Sequence, residues 1–153
     1  MTRKVPIDWD DLELAFTMHS EEQSSYLDLK TGKVELAAND LTGRDAGLSE
    51  EEVETGFAEG YLVPIEPPSS SDEYQWMVEF TETVADRRLR ELLGLALDGR
   101  GAFRRFKAVL SEHPTERERW FAFHEECIHR AMNEWLAEHD IEPTTRPPRK
   151  RTN

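Results

Sequence analysis

The sequence predicts an α+β fold, in which an N-terminal helix and a small antiparallel β-sheet pack with a C-terminal bundle of three or four helices. Alternating apolar residues around a glycine turn predict the sheet, and helical apolar spacing dominates after a Pro/Ser-rich break. A chain of 153 residues has the size of one domain. The predicted ranges are a single domain over 1–143, with helix and sheet at 5–66 and the helical part at 70–142, and a disordered basic tail over 144–153.

A helix and a hairpin are the first predicted elements. Asp8 precedes apolar residues at helical spacing, and its carboxylate is a suitable acceptor for the free N–H groups of a first helical turn. Residues 26–29 and 34–37 alternate in polarity on either side of a turn that contains Gly32. This arrangement is typical of a β-hairpin.

A loop, a short helix and a third strand complete the predicted sheet region. Residues 38–48 are polar and rich in turn-forming residues, so we expect a loop there. Ser49 and Glu52 have the spacing of a capping box, which predicts the start of a short acidic helix. Residues 61–65 predict a third strand, which Pro64 restricts to a sheet edge or to a short length because proline has no N–H to donate.

The break at residues 66–71 separates this region from a series of predicted helices. Their predicted starts are Ser70 with Glu73, Asp86, Gly101, and Thr115 with Glu118. Their predicted ends include Gly99, His113–Pro114 and His139. The aromatic residues of this part, including Phe103 and Trp120, fall at core spacing, and we interpret them as packing residues.

The distribution of charge is uneven. The chain carries 19 basic and 32 acidic side chains and a net charge of −13, and residues 5–145 alone carry −19. Such a body repels phosphate backbones, which disfavours general nucleic-acid binding. Residues 86–107 differ, because they hold seven basic and three acidic side chains.

This basic stretch contains the best candidate site, for an anion or for an acidic partner. Two glycines precede a predicted helix whose free N–H groups, together with nearby cations, favour a negatively charged group. We expect the cations to lie on the solvated face of that helix, and pairing with the acidic helices is the simpler interpretation. The candidate residues are Arg100, Gly101, Arg104, Arg105 and Lys107.

A second group of residues resembles a catalytic or metal motif only superficially. His124 and His129 are five residues apart, which rotates their side chains about 100° away from the four-residue spacing of helical zinc sites. We therefore predict that His124 is a buried, hydrogen-bonded core residue and that Glu125 and His129 form a helical pair. Cys127 lies on the apolar stripe and is predicted to be a buried hydrophobe.

The remaining features argue against several classes of protein. The chain contains no nucleophile-elbow, phosphate-loop, dinucleotide or Cys-x-x-Cys motif, so we predict no catalytic residues, metal or cofactor. A single cysteine fits a reducing compartment, and no apolar run is long enough to span a bilayer. Acidic residues near the N-terminus lie where a signal peptide needs an apolar stretch, so we do not expect a signal peptide. We expect a cytoplasmic protein without membrane contact.

Several blocks occur in an order that resembles the bacterial uncharacterised protein family 0158. The blocks are IDWDDLE at 7–13, YLDLKTG at 26–32, GRGAFRRFK at 99–107, ERWFAF at 118–123, WL at 135–136 and IEP at 141–143. The resemblance covers nearly the whole chain except the two charged ends. It implies a bacterial cytosolic protein from a family without an established activity, and it supplies no catalytic residues.

Our leading hypothesis is a non-enzymatic protein-interaction or regulatory module with a protein partner. One alternative is a protein that contacts nucleic acid through residues 100–107 and the basic C-terminal tail. Another is an acidic, DNA-mimic-type protein that binds a basic partner. An enzyme built on the residues around His124 is the last hypothesis.

Overall fold

The computed structural model describes residues 2–17, 24–37 and 47–147, and it divides the chain into two compact units. Unit 1 comprises residues 1–67 and 129–153, and unit 2 comprises residues 68–128. Unit 1 contains β1 (Arg3–Val5), α1 (Trp9–Thr17), β2 (Ser25–Asp28), β3 (Val34–Leu36), α2 (Glu50–Glu59), β4 (Leu62–Pro64) and β5 (Ile141–Pro143). Unit 2 contains α3 (Ser70–Glu82), α4 (Arg87–Ala96) and α5 (Ala102–Ser111). The long helix α6 (Pro114–Glu138) contributes residues to both units.

The α+β class is confirmed, with the longer helices in the C-terminal half. Residues 129–142, which we assigned to the helical part, are grouped with the sheet in unit 1. That residues 1–143 form a single domain stays a prediction. Residues 38–46 of the predicted loop and residues 148–153 of the predicted tail lie outside the described residues.

A three-stranded antiparallel sheet in unit 1 has the order β3-β2-β4. Leu27 of β2 lies opposite Val34 on one side and Val63 on the other, so the hairpin and the third strand are both confirmed. Pro64 lies on the edge strand β4, as its missing N–H requires. Helix α2 packs against this edge, where Gly56 lies directly over Leu62.

A second, parallel pair joins β1 to β5 and was not predicted from the sequence. Arg3 lies opposite Ile141, and the N–H of Arg3 donates to the carbonyl of Asp140 at 2.7 Å. Beyond β5, the Thr144 N–H donates to Val5 O, and the Thr145 hydroxyl donates to the carbonyl of Ile7. The first two residues of the predicted tail are therefore hydrogen-bonded within unit 1.

The hairpin turn at Gly32 lies close to the chain that enters α1. Its carbonyl accepts the N–H of Asp8 at 2.8 Å, and its φ of 77° lies in the left-handed region. A Cβ atom at Gly32 would lie 2.0 Å from the carbonyl oxygen of Pro6. Only glycine fits this position without moving the backbone.

Helix caps in unit 2 follow the predicted chemistry but not always the predicted residue. Asp86 caps α4 as predicted, through a bond from the Leu89 N–H. The capping box of α3 is Ser69 with Asp72, so the prediction of Ser70 with Glu73 was wrong by one residue. Consecutive serines and acids allow either register, and the bond from Ser69 N–H to Asp72 Oδ2 at 2.9 Å selects the earlier one.

The start of α6 also corrects the prediction. The helix begins at Pro114 rather than after a Thr115 cap, and the Arg117 N–H donates to the carbonyl of His113. Proline suits the first helical position, because its φ is already helical and its missing N–H would have no partner there. Among the described residues, no helix is long and apolar enough to cross a membrane.

Aromatic rings dominate the core of unit 2. Phe80 of α3 is 1% exposed, and its ring centroid lies 5.4 Å from that of Trp120 and 6.3 Å from that of Phe106. Leu89 and Leu93 of α4 are buried in the same cluster. The packing fixes the position of α5, whose opposite face reaches solvent.

Candidate functional site

The basic segment lies on and just before α5, after a turn that follows α4. Gly99 and Gly101 have φ angles of 81° and 75°, so both glycines adopt the left-handed conformation that reverses the chain. Gly101 is the N-cap of α5 and provides no side-chain cap. The five candidate residues therefore lie in the turn before α5 and in the first two turns of that helix.

Arg105 does not extend into solvent as the sequence predicted. Its Nε donates to the carbonyl of Ala96 at 3.0 Å, and its terminal nitrogens donate to the carbonyls of Asp98 and Arg100. The end of a helix leaves carbonyls without intrahelical partners, and a guanidinium group provides several donors in one plane. Arg105 therefore stabilises the turn between α4 and α5 and has few donors left for a ligand.

Replacing Arg105 with methionine is expected to lower the free energy of unfolding by about 2 kcal/mol, because three carbonyls lose a charged donor. Urea unfolding followed by circular dichroism measures this effect. Arg104→Met is the matched control, with an expected change within about 0.5 kcal/mol because Arg104 is exposed. Equal midpoints for the two variants would contradict the structural role of Arg105.

Arg100, Phe103, Arg104 and Lys107 form the solvent side of this segment, and we call these four residues the α5 surface. All four are exposed, and the three cations have no hydrogen bond or ion pair from their side chains to any described residue. Phe103 is 40% exposed, whereas Phe106 is completely buried, so Phe103 is not the core residue that its spacing predicted. The α5 surface thus combines unpaired positive charge with an aromatic ring.

His124 has a carboxylate partner rather than a place in the core. Its Nε2 lies 2.8 Å from Glu73 Oε2, and its side chain is 24% exposed. Its ring contacts Trp76 and Trp120 at centroid distances of 5.7 and 5.3 Å. The predicted hydrogen bonding is present, but the predicted burial was wrong, because the pair lies at the edge of the aromatic core.

His129 has a different carboxylate partner. Its Nε2 lies 3.3 Å from Glu13 Oε2 of α1, within unit 1. Glu125 lies one turn earlier on α6, and Cys127 is buried as predicted. The two histidines therefore have separate acidic partners, in agreement with the offset that their five-residue spacing predicts.

Comparison with known proteins identifies the family of this chain. The model of an uncharacterised protein family, UPF0158, matches residues 4–149. The chain belongs to this family. A UPF0158 protein of Pseudomonas aeruginosa is 31% identical over 145 residues, which cover 94% of this chain and 90% of that relative. No solved structure matches the chain. The resemblance drawn from the sequence blocks is confirmed.

Charge is divided unequally between the two units of this UPF0158 chain. Unit 2 contains nine of the 19 basic side chains and 12 of the 32 acidic ones, which gives it a net charge of −3. Unit 1 carries the other −10. The α5 surface is therefore a positive region of the less acidic unit.

Proposed function

We propose that this UPF0158 protein is a non-enzymatic binding module that takes an acidic segment of a protein partner on its α5 surface. The observation that carries the proposal is the absence of any partner for Arg100, Arg104 and Lys107 among the described residues. The chain has 32 acidic side chains, but none of the described ones pairs with these three cations. The cations are therefore available for carboxylates from another protein.

The chemistry of the α5 surface suits a protein segment. Arginine binds carboxylates with two parallel hydrogen bonds, and exposed aromatic rings are frequent anchors in protein interfaces. Phe103 is adjacent to Arg104 in sequence and one helical turn from Lys107, so one bound segment can contact both the aromatic ring and the cations. The buried Phe106 and the bonds of Arg105 hold α5 in place, which reduces the entropy lost on binding.

Nucleic acid is the competing ligand for the same cations. Its phosphates would meet the positive side chains, but the net charge of −13 opposes their approach, and Phe103 is the only ring on the α5 surface for base stacking. The acidic-mimic hypothesis would use unit 1 and stays a prediction. The nucleic-acid alternative is an outcome of the capture experiment.

The experiment is affinity capture from a bacterial lysate, with nuclease-treated and untreated samples, using the wild-type chain and single charge reversals. Arg104→Glu and Lys107→Glu are each expected to reduce capture of the same protein about tenfold or more, because each places a negative charge where an acidic segment binds. Capture is quantified by mass spectrometry at about 0.1 M salt, where the Debye length is about 10 Å.

Lys33→Glu is the matched control, because Lys33 is exposed, lies in unit 1 and undergoes the same change of charge. This control is expected to capture the protein as the wild type does. Identical capture by all variants would remove the α5 surface from the function. Retention of nucleic acid, with proteins lost on nuclease treatment, would favour the nucleic-acid alternative instead.

A further inference from the structure

We infer that the α5 surface also binds helix α2 of a second copy of this chain, so that self-association covers the surface when no other partner is present. This inference rests on the proposed function, because it concerns the regulation of the same surface. The charges and exposed rings of two helices, one in each unit, support it.

Helix α2 has the chemistry that the α5 surface would bind. Its ten residues include five glutamates and no basic residue. Glu50, Glu54 and Phe57 are spaced by four and three residues, so they form one stripe along the helix. Phe57 is 46% exposed even though its ring contacts Tyr26 at a centroid distance of 5.5 Å. An acidic stripe therefore ends at an exposed aromatic ring.

The two helices are complementary in both charge and apolar character. Helix α5 presents Phe103 with Arg104 and Lys107, and α2 presents Phe57 with Glu50 and Glu54. Glu50 and Glu54 have no side-chain hydrogen bond or ion pair within the described part of the chain, like the cations of the α5 surface. Contact between two copies would pair these charges and cover both rings.

The geometry of this contact determines the kind of assembly. Because α2 and α5 are different surfaces, two copies can make this contact once, which leaves one α2 and one α5 surface free, or twice around a two-fold axis, which leaves neither free. A single contact gives a head-to-tail assembly that can grow, and two reciprocal contacts give a closed dimer. Two ten-residue helices bury little area, so the association is weak and is weakened further by salt. A second copy and an acidic partner compete for the same residues.

Sedimentation velocity of the purified full chain tests the inference over a range of concentrations at about 0.1 M salt. We expect the wild type to self-associate in a concentration-dependent manner, to closed dimers if the contact is reciprocal and to longer assemblies if it is single. Lys107→Glu and Glu54→Lys are each expected to weaken self-association about tenfold, because each creates a pair of like charges in the contact. The two changes shift the net charge in opposite directions, so a general effect of net charge would not weaken both.

Complementation makes the test specific. An equimolar mixture of the two single variants is expected to associate, because each variant retains the surface that the other has lost. The double variant is expected to associate with itself, because the charges are exchanged. Circular dichroism confirms folding, and Lys33→Glu is the control that should associate as the wild type does.

Two results would overturn the inference: a wild type that stays monomeric at every concentration, or single variants that associate as strongly as the wild type. Neither result affects capture of a partner from lysate, so the failure of this inference is distinguishable from failure of the proposed function.

Discussion

Replacing Gly32 with alanine is expected to lower the free energy of unfolding by about 3–5 kcal/mol. A φ of 77° disfavours any residue with a Cβ, and that Cβ would lie 2.0 Å from the carbonyl oxygen of Pro6. The obstacle is backbone, which no rotamer change can remove. The clash is removed only if the hairpin moves away from the segment that enters α1. This movement breaks the 2.8 Å hydrogen bond from Asp8 N–H to Gly32 O.

Substitutions at two other glycines distinguish the cost of a positive φ from the cost of the contact with Pro6. Gly60 also has a positive φ, 76°, but no atom lies within 4 Å of its Cβ position, so Gly60→Ala is expected to cost only about 1 kcal/mol. Gly94 lies inside α4 with equally open space and no positive φ, so Gly94→Ala is expected to stabilise by up to about 1 kcal/mol. Urea unfolding of the three variants checks this order. Equal losses at Gly32 and Gly60 would show that the contact with Pro6 is unimportant.

Replacing Phe80 with alanine is expected to cost about 3–5 kcal/mol, because the lost ring leaves a cavity in the core of unit 2. The ring contacts three aromatic neighbours, Phe106, Trp120 and Phe123. It also lies 5.0 Å from the guanidinium carbon of Arg119, a cation–π contact. Denaturant unfolding followed by tryptophan fluorescence measures the loss.

Phe121→Ala is the matched control for this prediction. Phe121 is 37% exposed and contacts the guanidinium of Arg117, so its removal leaves no closed cavity. We expect a loss of about 1 kcal/mol or less. Similar losses for the two variants would contradict a core centred on Phe80.

Features that depend on neighbouring residues could be predicted from the sequence. The caps at Ser49 and Asp86 and the hairpin around Gly32 need only contacts across a few positions, and each is present. The errors are a shift of one residue at the start of α3 and of two residues at the start of α6. They occurred where adjacent serines, or a proline beside a threonine, offered two chemically acceptable starts.

Contacts between distant residues could not be predicted in this way. The parallel pairing of β1 with β5 and the pairing of His124 with Glu73 depend on how the elements pack. Arg105 is the clearest example, because helical spacing places it on the solvated face while its long side chain reaches the carbonyl of Ala96 on the preceding helix. In the candidate site, the exposure of Arg104 and Lys107 was predicted and the role of Arg105 was not.

The pairing of β1 with β5 has a consequence for synthesis on the ribosome. Residues 68–128 are continuous in the chain, so every residue of unit 2 is translated before β5. Unit 2 is inserted in the sequence of unit 1, between residues 67 and 129. Strand β1 therefore has no pairing strand in the nascent chain until Ile141–Pro143 have been synthesised. Domains generally fold as units during translation. The order of synthesis therefore favours completion of the inserted helical unit first, with closure of the sheet-containing unit as the last step.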